Sequence, residues 1–106
     1  MIAKTPSPPY YAVIFSSLRT DGDKGYSNMS DRMLDLARKQ EGFLGVEDVR
    51  ELLGITISYW KDLESIKKWK EHAEHTVARH KGREVWYSHF KARIARVERD
   101  YEFEKT

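Results

Sequence analysis

All three tryptophans of the chain, Trp60, Trp69 and Trp86, and three of its four histidines, His72, His75 and His80, lie within one stretch. Tyr59 and Arg83 fall in or beside it. Imidazole changes charge near neutral pH, so His75 or His72 is a candidate general base. Arg83 is a candidate for holding an oxyanion. Trp69, Tyr59 and Trp86 are candidate aromatic walls, with His80 a further candidate lining residue. Residues of these types suit proton removal from a bound small molecule and stabilisation of the anion left behind. The competing reading is structural. Trp69 lies on an apolar helix stripe and would pack in the core, while His72, His75 and Arg83 would face water.

Other chemistries fit less well. His72 and His75 stand three apart beside Glu71 and Glu74, but the order His-Ala-Glu-His is not the His-Glu-x-x-His zinc motif. A metal site needs a further ligand at a fixed position, so no metal is expected. The chain has no cysteine, which excludes thiol nucleophiles, thiolate metal sites and disulfides. It suits a reducing, cytoplasmic setting. No apolar run reaches the roughly 18 residues of a membrane span, and the N-terminus lacks the pattern of a signal peptide. Neither a membrane nor a nucleic acid is expected as a partner. The net charge of +2 is too balanced for the latter, and Lys91, Arg93, Arg96 and Arg99 read as one solvated strand face.

The elements that must position these residues follow from hydrophobic periodicity. Residues 1–9 carry Pro6, Pro8 and Pro9 and read as a flexible arm ahead of a single domain over 10–106. The segment YYAVIFSSLR, Tyr10 to Arg19, reads as a strand. TDGDKG is a turn. Tyr26, Met29, Met33, Leu36, Ala37 and Gln40 recur at helical spacing. Ser27 or Ser30 is placed to start that helix and Gly42 to cap it. Phe43 to Leu53 and Gly54 to Trp60 alternate as two strands, with Gly54 suited to a tight hairpin. Asp62 caps a second helix whose apolar stripe is Leu63, Ile66, Trp69, Ala73 and Val77, and Gly82 ends it. Trp86 to Phe103 reads as a long last strand.

The order strand, helix, strand, strand, helix, strand gives an α+β fold of ferredoxin-like βαββαβ topology. Its antiparallel sheet carries two helices on one face. The first strand is apolar on both sides, and two helices cover only one. A second copy is the simplest cover for the other face, so a homodimer is expected.

The run GFLGVEDVRE, then GITISYWKDLESIKKW, then EHTVARHKGREVWY resembles the antibiotic biosynthesis monooxygenase family. The residues that carry the likeness are Gly42-Phe43, Ser58-Tyr59-Trp60, and Trp69 with His75 six residues on. The likeness spans roughly Tyr10 to Glu102. It implies a dimeric α+β barrel and oxygen chemistry on an aromatic or polycyclic small molecule, with no cofactor expected. It also implies a break in the second helix. On one unbroken helix His80 lies within ~20° of Trp69, and His75 points some 120° away; a break would swing His75 inward. Other members of the family degrade haem. For that branch Trp69 matches, but Ser16 stands near the expected asparagine and Arg79 near the expected axial histidine. Haem binding is therefore the alternative cofactor reading, and a small-molecule-binding, stress-related dimer without turnover is the non-catalytic one.

Overall fold

The computed structural model describes the backbone of residues 1–79 and 82–106, and the side chains of residues 1–76 and 84–106. Four strands form one antiparallel sheet: β1 (Tyr10–Arg19), β2 (Phe43–Arg50), β3 (Gly54–Trp60) and β4 (Tyr87–Val97). Their order across the sheet is β2-β3-β1-β4. Between them lie α1 (Tyr26–Arg38), α2 (Leu63–Arg79) and a short α3 (Gly82–Trp86). This is the ferredoxin-like arrangement expected from the sequence, with one short helix more.

Residues directly opposite each other in an antiparallel pair share a face of the sheet. Tyr11 stands opposite both Trp60 and Arg96, and Val13 opposite both Ser58 and Ile94. Trp60 packs against Trp69 of α2, and Phe15 stacks on Phe90 near Tyr87, which meets Tyr26 of α1. Those rows therefore face the helices. Tyr10, Ala12, Ile14, Ile57 and Tyr59 face the other way.

The helix ends show which local groups set them. Asp23, rather than Ser27 or Ser30, opens α1. Its carboxylate accepts from the backbone N–H of Gly25 at 3.1 Å and of Ser27 at 3.2 Å, and from the Ser27 hydroxyl at 2.5 Å. These hydrogen bonds, that of the Ser27 hydroxyl first, hold the Asp23 carboxyl below its ordinary range. Asp62 opens α2 as the sequence indicates, accepting from the Ser65 N–H at 2.8 Å. Helix α1 closes at Lys39, three residues before Gly42. Gly42 has φ +85° and lies against the start of α2, where an added Cβ would come within 2.7 Å of the Ser65 Cβ. Both its backbone angle and this close approach exclude a side chain.

Other expectations are corrected by the sheet. The β2–β3 turn is 51–53, and Gly54 is already in β3. Its lack of a side chain makes room for the Arg50 guanidinium, which donates to the Ser17 carbonyl oxygen at 3.3 Å and to the Ser17 hydroxyl. The register shifts between Phe43 and Gly45, so one extra residue turns Phe43 onto the helix side. There it meets Trp60 edge-on at 5.4 Å. The last strand starts at Tyr87 rather than Trp86 and stops at Val97 rather than Phe103. Val97 is opposite Tyr10, the first residue of β1, so the chain beyond it has no partner strand. Leu63, placed on the apolar stripe of α2 by spacing, is exposed, whereas Ile66 is buried.

The N-terminal arm lies on the far face of the sheet. The Ala3 N–H donates to Glu47 at 2.9 Å, and the Thr5 hydroxyl to the Tyr10 oxygen at 3.0 Å. The Tyr10 hydroxyl in turn donates to Asp100 at 2.5 Å. Both ends of the chain are thus hydrogen-bonded to one region of that face.

Candidate functional site

Helix α2 runs unbroken from Leu63 to Arg79, which corrects the expectation of a break before His75. Asp62 starts it, and neither glycine nor proline interrupts it. At ~100° per residue, His72 lies within about 60° of Trp69 and His75 about 120° away. The contacts agree. Trp69 stacks on the fully buried Trp60 with ring centroids 5.9 Å apart and planes 24° apart. The exposed His72 ring lies 5.9 Å from Trp69, and His75 is exposed as well.

Trp69 rests on Trp60, and the face of the sheet that carries Trp60 also carries Tyr11, Ser58 and Val13. The Trp60 indole N–H is satisfied by the Ser58 hydroxyl at 2.9 Å. Towards β4 this face continues to Ile94 and Arg96. Ile94 is 55% exposed although it faces the helix side, so the sheet is uncovered there. Arg96 is exposed and has no ion pair among the described residues. The pattern of a solvated basic strand face concealed it. Only the register with Tyr11 and Trp60 puts it on the helix side of the sheet, in one row with Trp60.

The remaining candidates are dispersed. Tyr59 is on the opposite face from Trp69. Its hydroxyl donates to Glu47 at 2.7 Å, and Tyr10 lies edge-on at 5.9 Å. Burial, followed by the hydrogen bond to the Glu47 carboxylate, pushes the Tyr59 phenol up to about 12. Trp86 is buried at the end of α3, donating its indole N–H to the Lys24 carbonyl at 2.8 Å and packing edge-on against Tyr26. A shallow depression of about 370 Å³ beside it, lined by Lys24, Gly25, Asn28, Met29 and Arg32, includes no other candidate. His80 and the Arg83 side chain lie outside the described residues.

A second polar group on the helix side has no signal in the sequence. Arg19 stacks over the Tyr26 ring at 3.5 Å and donates to the Trp86 carbonyl at 2.8 Å. Burial, then the adjacent Tyr26, raises the Tyr87 phenol well above the usual tyrosine range. Tyr26 and Tyr87 are distant in the chain and meet only through the fold. Among the described residues no group of three or more His, Asp or Glu side chains is disposed to hold a metal ion. No helix of the described residues is long and apolar enough to cross a membrane.

No family model matches the chain. It is 50% identical over 106 residues to the uncharacterized protein YqjZ of Bacillus subtilis, covering 98% of this chain and 93% of that one. The fold is similar to that of SnoaB, a cofactor-independent oxygenase from Streptomyces nogalater, with TM-score 0.67 and 10% identity over 92% of this chain and 100% of that one. It is also similar to a protein from Bordetella bronchiseptica assigned by name to the antibiotic biosynthesis monooxygenases, with TM-score 0.65 and 14% identity over 83% of this chain and 96% of that one. PA3566 of Pseudomonas aeruginosa gives TM-score 0.66 and 16% identity over 91% and 99% of the two chains. The chain belongs to the family of YqjZ and is built on the fold of the antibiotic biosynthesis monooxygenases.

Proposed function

We propose that this protein is a monooxygenase of the antibiotic biosynthesis type that oxygenates an aromatic or polycyclic small molecule without a cofactor. The observation that carries this reading is the Trp60–Trp69–His72 stack beside an uncovered strip of sheet. It joins an apolar platform to an imidazole at the edge of solvent, on the fold that SnoaB uses.

The chemistry needs little from the protein beyond binding, a base and a cation. A flat substrate with an acidic methylene, such as an anthrone, would lie against Trp69. His72 takes one methylene proton, and the electron pair left behind delocalises into the ring system as an oxyanion. Arg96 faces the same side and stabilises that oxyanion. The anion gives its electrons to dioxygen, forming a carbon–oxygen bond. Loss of water from the resulting hydroperoxide leaves the ketone, so one methylene compound and one dioxygen yield one ketone and one water. His72 takes the base role in preference to His75 because it touches Trp69, and Arg96 is assigned the cation role expected of Arg83.

The test is oxygen uptake by the purified protein with anthrone, product identified by mass spectrometry. Consumption of one dioxygen per quinone formed supports the reading. A Soret band shift at one equivalent of added haemin, without anthrone turnover, would replace it with the haem reading. Binding of the anthrone without oxygen uptake would leave a small-molecule-binding protein.

A further inference from the structure

At the end of the sheet away from Trp60, two guanidiniums converge on one tyrosine. Gly54 begins β3 and Trp60 ends it, so Gly54 lies about 20 Å along the strand from Trp60. Gly54 stands opposite both Ser17 and Arg50, which puts all three on the helix side. Arg50 reaches across Gly54, where an added Cβ would come within 2.1 Å of the guanidinium carbon. Both of its terminal nitrogens donate to Ser17, a residue only 2% exposed. From α1, Tyr26 meets both cations. The guanidinium carbon of Arg19 lies 3.5 Å from its ring centroid and that of Arg50 5.8 Å. The Tyr87 ring stands perpendicular to Tyr26 with centroids 5.8 Å apart.

Two half-buried positive charges side by side call for a negative one. Among the described residues neither arginine forms an ion pair. Arg19 donates to carbonyl oxygens, those of Trp86, Gly22 and Asp23. The Asp23 carboxylate is committed to the start of α1. Asp48, on the same face two residues before Arg50, is exposed and pairs with neither. A clamp between strands explains the bonds from Arg50 to Ser17, but not a second cation on the same ring. Burial, then the adjacent Tyr26, raises the Tyr87 phenol, while Arg50 and Arg19 pull it the other way. Both cations therefore act on that hydroxyl, which keeps its proton at neutral pH and is available to donate.

We propose that Arg50, Arg19, Tyr26 and Tyr87 bind the oxyanion of an aromatic acid, a carboxylate or a phosphate ester. The guanidiniums supply charge-assisted hydrogen bonds and the phenols further O–H donors. The aromatic body of the ligand has a wall to lie on. Phe15 stacks on Phe90 with centroids 5.3 Å apart, and Tyr87 meets both edge-on. The four polar residues come from β2, β1, α1 and β4, so only the fold assembles them. The site contains neither His72 nor Arg96 and does not rest on the oxygenase reading.

The test is calorimetric titration of the full chain at pH 7 and low salt with 2-naphthoate, 2-naphthyl phosphate and the neutral 2-naphthamide. The anions are expected to bind at least tenfold more tightly than the amide, and the tighter of the two names the acid group the site prefers. Arg50→Gln is expected to weaken anion binding about ten- to hundredfold, the usual worth of a hydrogen bond to a charged group, and to leave the amide within about threefold. Arg50 also bridges strands, so Tyr87→Phe, which removes one hydroxyl alone, is the second variant. It is expected to weaken anion binding about threefold or more. Arg32→Gln, on the exposed side of α1, is expected to change nothing. Equal affinity for acid and amide overturns the proposal, as does the absence of anion binding at millimolar concentration. Unchanged affinity in both Arg50→Gln and Tyr87→Phe does so too. A loss in Arg96→Gln with none in Arg50→Gln would place the anion beside Trp69 and overturn it as well. None of these readouts depends on oxygen uptake.

Discussion

Trp69 stacks on Trp60 with ring centroids 5.9 Å apart, and the two differ in what surrounds them: Trp60 is fully buried, whereas Trp69 is half-buried with the exposed His72 beside it. One ring is core and the other is the surface that core presents. Trp60→Ala is therefore expected to cost about 3–5 kcal/mol in urea unfolding, as for other buried tryptophans. Trp69→Phe keeps an aromatic on the platform and is expected to cost about 1–2 kcal/mol. Equal losses would make Trp69 a core residue and remove it from the site.

The unbroken α2 separates two histidines that are both candidates for the base, because a break that would swing His75 inward is absent. His72→Ala is expected to lower oxygen uptake with anthrone about 100-fold, the usual worth of a positioned base. His75→Ala, on an exposed part of the helix, is expected to stay within about threefold of wild type. The reverse ranking would move the base to His75 and sink the geometry proposed for the site.

Tyr59 offers a pH signature independent of catalysis. Its phenol is pushed up to about 12 by burial and by Glu47, against about 10 in an unfolded chain. The folded state holds that proton more tightly. The stability it brings is thus complete below about pH 10 and is lost as pH rises from about 10 to about 12. Wild type is expected to lose melting temperature more steeply over that window than Tyr59→Phe does. Glu47→Gln removes the charge and is expected to shift the phenolate absorbance of Tyr59 to lower pH; an unchanged titration would contradict the hydrogen bond as a cause.

Two glycines with nearly the same positive φ separate strain from crowding. Gly25, at +84°, has nothing within 4 Å of an added Cβ, whereas Gly42, at +85°, has the Ser65 side chain within 2.7 Å. Gly25→Ala is expected to cost about 1 kcal/mol, the backbone term alone. Gly42→Ala adds the clash and is expected to cost roughly 2–4 kcal/mol. Similar values from chemical unfolding would mean that the start of α2 moves aside freely.

The sequence by itself determined the order of elements, the antiparallel sheet, the cap at Asp62 and the place of Trp69 on an inward-facing stripe. Each rests on information carried within a few residues: alternation, helical spacing, or a carboxylate three positions before a free N–H. Which chemistry-bearing residues share a space was decided by the tertiary structure. Alternation separates Tyr59 from Trp60 but does not say which of them meets the helices. The packing of α2 settles that, and puts Tyr59 with Glu47 on the far side. The extra residue at Leu44 turns Phe43 to the Trp60 side, which no local pattern marks. Arg96 reads as solvated charge until its register with Tyr11 and Trp60 is known. β4 ends at Val97 because β1 begins at Tyr10, although the alternation in the sequence runs on to Phe103. A strand is a local pattern, but its length is set by its partner.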